Sequence, residues 1–321
     1  MTTPVPASAP AQGPTLLDAV RLRRQEAVTS GLSRRRRLLA VAVALVLFLL
    51  AWELFKWLGG DPWRLHGTVA GIQIDYEHVP PFQFALASDL ALPHIWSILG
   101  AFPAPYQRFG DPTWLVLVGA ATYTFKEAFV GFVIGAGLGL LLGIFFVRYR
   151  ILEQAFSPYV VASQAVPLIT IAPIIVIFFG NAWTSVSLIA AYLTFFPVTV
   201  AAMRGLRSAD PRAFELFRSV AATDRQVLTK LQLPASVPYL FAGFRIAAAA
   251  AVVGAIIGEL PNGLPDGVGG QILQASQYYV TGPERLWASI VVAAALGLVA
   301  VGLVWLAERL VTRGRYRSAE V

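Results

Sequence analysis

Glu215-Leu216-Phe217-Arg218-Ser219-Val220-Ala221 and, further on, Leu231-Gln232-Leu233-Pro234 interrupt a chain that is otherwise largely apolar. The 321 residues are 57% hydrophobic and only 13% charged, with a mean hydropathy of +0.65. A soluble domain carries about a quarter charged residues, so the bulk of the chain reads as an all-α polytopic membrane protein. The interruption is basic, capped and punctuated by proline, which marks it as a loop on which something docks.

Apolar runs long enough for a hydrocarbon core of about 30 Å fall at 38–58, 125–147, 159–179, 183–203, 239–260 and 286–311. The run at 38–58 is too late and too long for a cleaved signal peptide, and no A-x-A site follows it. It is read as the first of about six transmembrane helices. The second apolar stretch already begins near Trp114. A single helix over 113–147 would overshoot the bilayer, so an interfacial piece is expected up to Tyr123. Lys126 and Glu127 are then expected near the headgroups, within snorkelling reach of water.

Arginine and lysine set the orientation. Arg21, Arg23, Arg24 and Arg34 to Arg37 precede the first span, and Arg148 and Arg150 follow the second. Arg204, Arg207, Arg212, Arg218, Arg225 and Lys230 lie in the loop, and Arg309, Arg313, Arg315 and Arg317 lie at the C-terminus. The other loops contribute only Arg64, Arg108 and Arg285. Both termini and the loop are therefore cytoplasmic. The net charge of +7 expresses this bias, with contact to anionic lipid as a secondary effect, and no nucleic-acid partner is expected.

The chain divides into a basic, partly disordered tail (1–37, with a short helix near 16–27), a first transmembrane helix (38–58), an extracytoplasmic segment (59–112), a core (113–311) and a second tail (312–321). The core carries the cytoplasmic loop 204–238. Prolines 80, 81, 93, 103 and 105 suggest an ordered cap with little regular structure in 59–112. The turn-rich segment 261–285 is expected at the outer mouth of a pathway. His66, His78 and His94 lack metal-ligand spacing and read as surface residues, and no metal site is expected. Without cysteine, thiol catalysis, disulfides and iron–sulfur clusters are excluded.

Gly131, Gly135, Gly139 and Gly143 recur on one helical face, where a neighbouring backbone can approach. Ser163, Gln164, Pro167 and Thr170, with Pro173 beyond, combine polar groups with proline breaks in the third span. Such a combination suits a pathway wall, where freed carbonyls are satisfied, and equally a kinked, packed helix. Arg245 is expected to snorkel to the cytoplasmic surface, and Glu259 to cap the other end of the fifth span. No charge stands clearly at mid-membrane, which disfavours an ion-coupled carrier.

Within the loop, Asp210-Pro211 is a helix start, giving a short helix over 211–222. Thr223 and Gln226 form a capping box that starts a second helix ending before Pro234. Leu216, Phe217, Val220 and Leu231 supply an apolar knob on a charged base. This stretch resembles the E-A-A-x3-G-x9-I-x-L-P signature of ABC-transporter permease subunits of the importer type. Glu215, Leu233 and Pro234 match it. Leu216 and Phe217 replace the alanines, Ala221 the glycine and Leu231 the isoleucine. At Ala221 the conformational freedom of glycine is missing, which the capping box is expected to offset. The resemblance extends over about 92–310 through Phe125-Lys126-Glu127, Gln164-Ala165-Val166-Pro167 and Ala242-Gly243-Phe244-Arg245. It points to the branch importing nitrate, sulfonates, taurine and vitamin precursors such as thiamine pyrimidines or riboflavin.

The resemblance implies the type I importer permease fold in a bacterial cytoplasmic membrane, with Glu215, Leu216, Phe217, Arg218, Ala221, Ala222, Leu233 and Pro234 coupling to an ABC ATP-binding subunit. It further implies a second copy of the chain and an extracytoplasmic substrate-binding protein. No G-x-x-x-x-G-K-[ST] loop is present, and Lys56, Lys126 and Lys230 are the only lysines. ATP and Mg are thus expected on the partner subunit, with no cofactor and no enzymatic activity in this chain. The alternatives are a secondary transporter or channel not coupled to ATP, or a membrane enzyme. For the enzyme, G-x-S-x-G and H-E-x-x-H motifs are both missing from the sequence.

Overall fold

A computed structural model describes residues 16–69, 72–106, 110–180, 183–262 and 265–313. It divides into two compact units, Met1–Ser88 and Asp89–Val321.

In the first unit, helix α1 (Leu16–Gly59) is continuous, and its apolar part, Leu39–Gly59, is long enough to span a membrane. The helix expected near 16–27 is therefore the beginning of α1, while residues 1–15 lie outside the described residues. Past α1, the expectation of little regular structure is overturned. Strands β1 (Trp63–Val69) and β2 (Ile72–His78) pair antiparallel, Trp63 opposite His78 and Val69 opposite Ile72. The alternation Ile72, Ile74, Tyr76 carries the strand period that the prolines around it obscure. The His78 ring stacks on Trp57 and bonds its carbonyl oxygen at 2.9 Å. Lys56 is fully buried, and its ammonium reaches the Ala87 carbonyl at 3.3 Å.

The second unit opens with the short helix α2 (Ile95–Ala101). His94 at its start is buried and stacked on Trp96, with Asp89 3.5 Å away, and so is not the surface residue expected. Next come α3 (Thr113–Arg148), α4 (Arg150–Ser163), α5 (Leu168–Phe179) and α6 (Trp183–Leu206). Beyond the loop 204–238 lie α9 (Leu233–Asn262), α10 (Val268–Gln277) and α11 (Pro283–Arg313), and the loop itself holds α7 (Pro211–Ser219) and α8 (Asp224–Val227).

Helix α3 is one uninterrupted rod rather than a span with a separate interfacial piece. At 1.5 Å per residue it is about 54 Å long, well over the thickness of a hydrocarbon core of about 30 Å. Nothing between Thr113 and Tyr123 breaks it. The expected third span is also different. α4 and α5 meet at a 99° bend across 164–167, because Pro167 fixes an extended backbone there and the residue before a proline avoids the helical region. The described residues thus contain five helices long and apolar enough to cross a membrane, or six if this bent pair is one span.

The centre of the unit is the contact between α3 and α6. Every glycine of the four-residue stripe meets α6. A Cβ on Gly135 would stand 2.5 Å from the Ala191 carbonyl oxygen, and those of Gly131, Gly139 and Gly143 would overlap Ala190, Phe195 and Ala202. α6 answers with small residues, and the Thr194 and Thr199 hydroxyls return to carbonyls of their own helix at 2.8 Å. Close backbone approach replaces the hydrophobic drive that lipid removes. On the other side α9 packs against α6, with Ala247, Ala251 and Ala255 buried.

Candidate functional site

The loop between α6 and α9 is anchored at both ends. Gly205 lets the end of α6 approach the buried Ser236 at the start of α9, where a Cβ would meet the Ser236 Cβ at 2.8 Å. Ser208 donates to the Gly205 carbonyl at 2.7 Å and to that of Ala235 at 3.4 Å.

From this base Asp210 caps α7 by accepting from the Arg212 N–H at 2.8 Å, with Pro211 in the first turn. α7 ends at Ser219, earlier than the expected 222, because the chain turns there. Ala222 N–H donates to the Phe217 carbonyl at 2.9 Å, and Ala221 N–H to that of Arg218 at 3.0 Å. These two bonds are the Schellman motif, which requires a left-handed residue between helix and exit. Ala221 occupies it with φ of +51°, the one described non-glycine residue at positive φ. The corner between the two short helices is therefore made despite the missing glycine, with the strain carried by alanine.

The capping box forms as read: Thr223 N–H donates to Gln226 Oε1 at 2.8 Å, and Gln226 N–H to Thr223 Oγ1 at 3.4 Å. The helix that follows does not stop before Pro234. It passes through a π turn (Leu228–Gln232), in which Leu233 N–H reaches back to the Leu228 carbonyl, and continues as α9. In a regular helix the Pro234 ring would clash with the Lys230 carbonyl. The wider turn makes room, so Leu233 and Pro234 lie within a continuous helix.

The apolar knob is narrower than the sequence suggests. Leu216 on α7 and Val220, its C-cap, are 62% and 67% exposed, beside exposed Glu215 and Arg218. Phe217, Ala222 and Leu231 are half-buried. Asp224 pairs with Arg148 at the end of α3. A cavity of about 680 Å³ lies beside the pair, which stands in its wall with Phe145, Tyr149, Phe214 and Leu228 among others.

The residues proposed for a pathway gather at the α4–α5 bend. Ser163 is half-buried, and its carbonyl accepts from the Tyr192 hydroxyl; Gln164, Pro167 and Thr170 are exposed. α4 has no buried residue at all. A second cavity of about 970 Å³ runs along α4 between Val147, Arg150, Gln154 and Val161, and the Glu153–Arg207 ion pair of 2.5 Å stands in its wall.

Four charged residues sit in surroundings that sequence reasoning did not give. Arg245 does not snorkel freely but pairs with Glu308 of α11 at 2.5 Å. Lys126 stands 5.1 Å from the centroid of the Trp183 ring. Glu127 is fully buried rather than near headgroups, and Glu259 is buried with it. The available signal for Glu127 was its position four residues before Gly131, in line with the glycine stripe. Among the described residues no group of three or more His, Cys, Asp or Glu could hold a metal ion.

The family described as "Binding-protein-dependent transport system inner membrane component" matches residues 135–316, which take in the glycine stripe from Gly135, the bend and the whole loop. The chain is 39% identical over 131 residues to the formylaminopyrimidine transport permease protein ThiX of Halalkalibacterium halodurans, covering 40% of this chain and 52% of that one. It is 31% identical over 199 residues to the putative aliphatic sulfonates transport permease protein SsuC of Bacillus subtilis, covering 62% and 71%. The chain thus spans about half the length of the first relative and more of the second. A crystal structure of an amino acid ABC transporter with histidines shares the fold, with a TM-score of 0.51 at 18% identity over 61% of this chain and 94% of that one.

Proposed function

The chain belongs to the family of binding-protein-dependent transport system inner membrane components, and from that premise we propose that it is the permease subunit of an ATP-driven importer in a bacterial cytoplasmic membrane. The observation that carries this reading is the α7 corner, where exposed Leu216 and Val220 flank Glu215 on a helix fixed at both ends. Such a short amphipathic helix fits a groove on a partner, here an ABC ATP-binding subunit that binds ATP and Mg. This chain catalyses no reaction itself.

Closure of that subunit displaces α7. The displacement passes to α3 through Arg148–Asp224 and to α9 through the unbroken helix from α8. Two copies of the chain then switch between inward- and outward-facing arrangements as rigid bodies. The exposed α4–α5 pair faces the second copy, with Ser163, Gln164, Pro167 and Thr170 along the pathway. An extracytoplasmic binding protein delivers the solute. The likeness to ThiX favours a thiamine-pyrimidine precursor, ahead of a riboflavin-like compound, a sulfonate, taurine or nitrate.

Glu215→Lys and Leu216→Asp test the reading, because neither side chain supports the fold. Each is expected to abolish co-purification of the ATP-binding subunit in mild detergent and to cut uptake at least tenfold. Unchanged association and uptake would sink it. Ligand screening of the partner binding protein decides the solute.

A further inference from the structure

Two carboxyl groups that the importer reading does not use face each other on the extracytoplasmic side of the core. Glu127 lies on α3, one turn after Thr124, and Glu259 near the outer end of α9; both are fully buried. Glu259 is well supplied with donors. The Thr124 hydroxyl donates to Oε1 at 2.6 Å and the Gly269 N–H to Oε2 at 2.5 Å. Thr124 in turn accepts from the Val268 N–H at 2.8 Å, and Gln271 Nε2 holds the same turn by donating to the Pro265 carbonyl at 2.6 Å. The turn wraps Glu259 closely: a Cβ at Gly267 would overlap its carboxyl group, and one at Gly269 would stand 2.8 Å from Oε2.

Glu127 is the opposite case. Both of its oxygens are buried, and neither receives a hydrogen bond from any described residue. Its carboxyl lies within hydrogen-bonding reach of that of Glu259, which has only acceptors to offer while ionised. Lys126, whose charge acts on Glu127 through space, stands by Trp183 and donates no hydrogen bond to the Glu127 carboxyl. The remaining titratable groups around the pair, Tyr123 on α3 and Asp266 on the turn, add no positive charge. Two ionised carboxylates in contact and away from water repel each other, and each lacks solvation. One proton between them turns that repulsion into a carboxyl–carboxylate hydrogen bond, and the donors already on Glu259 decide which partner stays ionised.

We propose that Glu127 and Glu259 form a single-proton site. Glu127 carries the proton and donates its O–H to the Glu259 carboxylate, and the loaded site clamps the 265–270 turn, and with it α10, onto α3. The inference stands on packing alone, so it survives or fails independently of the importer reading.

The test reads the carboxyl groups directly. Infrared spectra of the full chain in dodecyl maltoside, which has no carbonyl of its own, are compared for the wild type and Glu127→Gln at neutral pH. The expected result is a carboxylic-acid C=O band in the wild type that is lost in Glu127→Gln and unmoved when sodium is replaced by choline. Carboxylate bands alone would overturn the proposal, as would bands that follow sodium, since the site would then hold a metal cation. Hydrogen exchange at the Gly269 amide supplies a second measurement. Glu127→Gln keeps a donor and is expected to exchange like the wild type, whereas Glu127→Ala exchanges at least tenfold faster. Equal rates in all three would remove the clamp.

Discussion

Asp224, the first residue of α8, is ion-paired with Arg148, the last residue of α3. The side chains are 71% and 54% exposed, so the pair contributes no more than about 1 kcal/mol to stability. Its importance is positional, since it joins the loop between α6 and α9 to the helix that carries the glycine stripe. Asp224→Ala is therefore expected to leave the melting temperature nearly unchanged while lowering ATP-driven uptake several-fold. Exchanging the charges, Arg148→Asp with Asp224→Arg, restores uptake. If the single variant transports normally, the pair is a bystander.

Ala221 holds a left-handed backbone that costs an L-residue roughly 1–2 kcal/mol. Glycine adopts it freely but gives up roughly 0.5–1 kcal/mol of unfolded-chain entropy. Ala221→Gly is expected to stabilise the corner by up to about 1 kcal/mol, seen as slower exchange of the Ala222 amide that bonds Phe217. Ala221→Val, with a branched Cβ at the same φ, opens the corner and speeds that exchange. The reverse order would mean that the turn is not under strain.

What could be read from the sequence was local chemistry. Asp210-Pro211 and Thr223 with Gln226 act within a turn of themselves, so their caps appear where they were expected. The glycine stripe was legible as a face, though not its occupant. What escaped was decided at a distance. Glu127 next to Lys126 looks like a headgroup pair until Glu259 and the 265–270 turn close over it. The helix through Pro234 depends on a π turn that no local propensity announces. The α4–α5 bend exceeds an ordinary proline kink because few contacts hold α4 straight: none of its residues is buried.

The glycine stripe separates two kinds of substitution on one helix. Gly135 faces the Ala191 carbonyl of α6, whereas a Cβ on Gly137 meets nothing within 4 Å. Gly135→Val is expected to cost at least the roughly 1–3 kcal/mol of an overpacked core, and to leave little monodisperse protein in size-exclusion thermal scans. Gly137→Ala, which exchanges glycine for a better helix former in open space, raises the midpoint or leaves it alone. Equal tolerance at both positions would contradict the close α3–α6 approach.

Tyr106 ties the chain before α3 to α10, donating its hydroxyl to Gln274 Oε1 at 3.1 Å. It lines a cavity of about 430 Å³ with Tyr278 and Arg285. Burial pushes its phenol above the usual 10.0, and the Arg285 guanidinium opposes that shift only in part. The folded protein therefore holds this proton more tightly than the unfolded chain does. The associated stability is complete below about pH 10 and is lost as pH rises through the folded value. In an alkaline titration of thermal midpoints, the wild type is expected to fall more steeply than Tyr106→Phe, which has no proton to lose. At neutral pH the variant pays only for the missing hydrogen bond, about 1 kcal/mol. Parallel alkaline limbs for the two proteins would show that Tyr106 ionises as readily folded as unfolded, and that its burial does not govern the junction between α3 and α10.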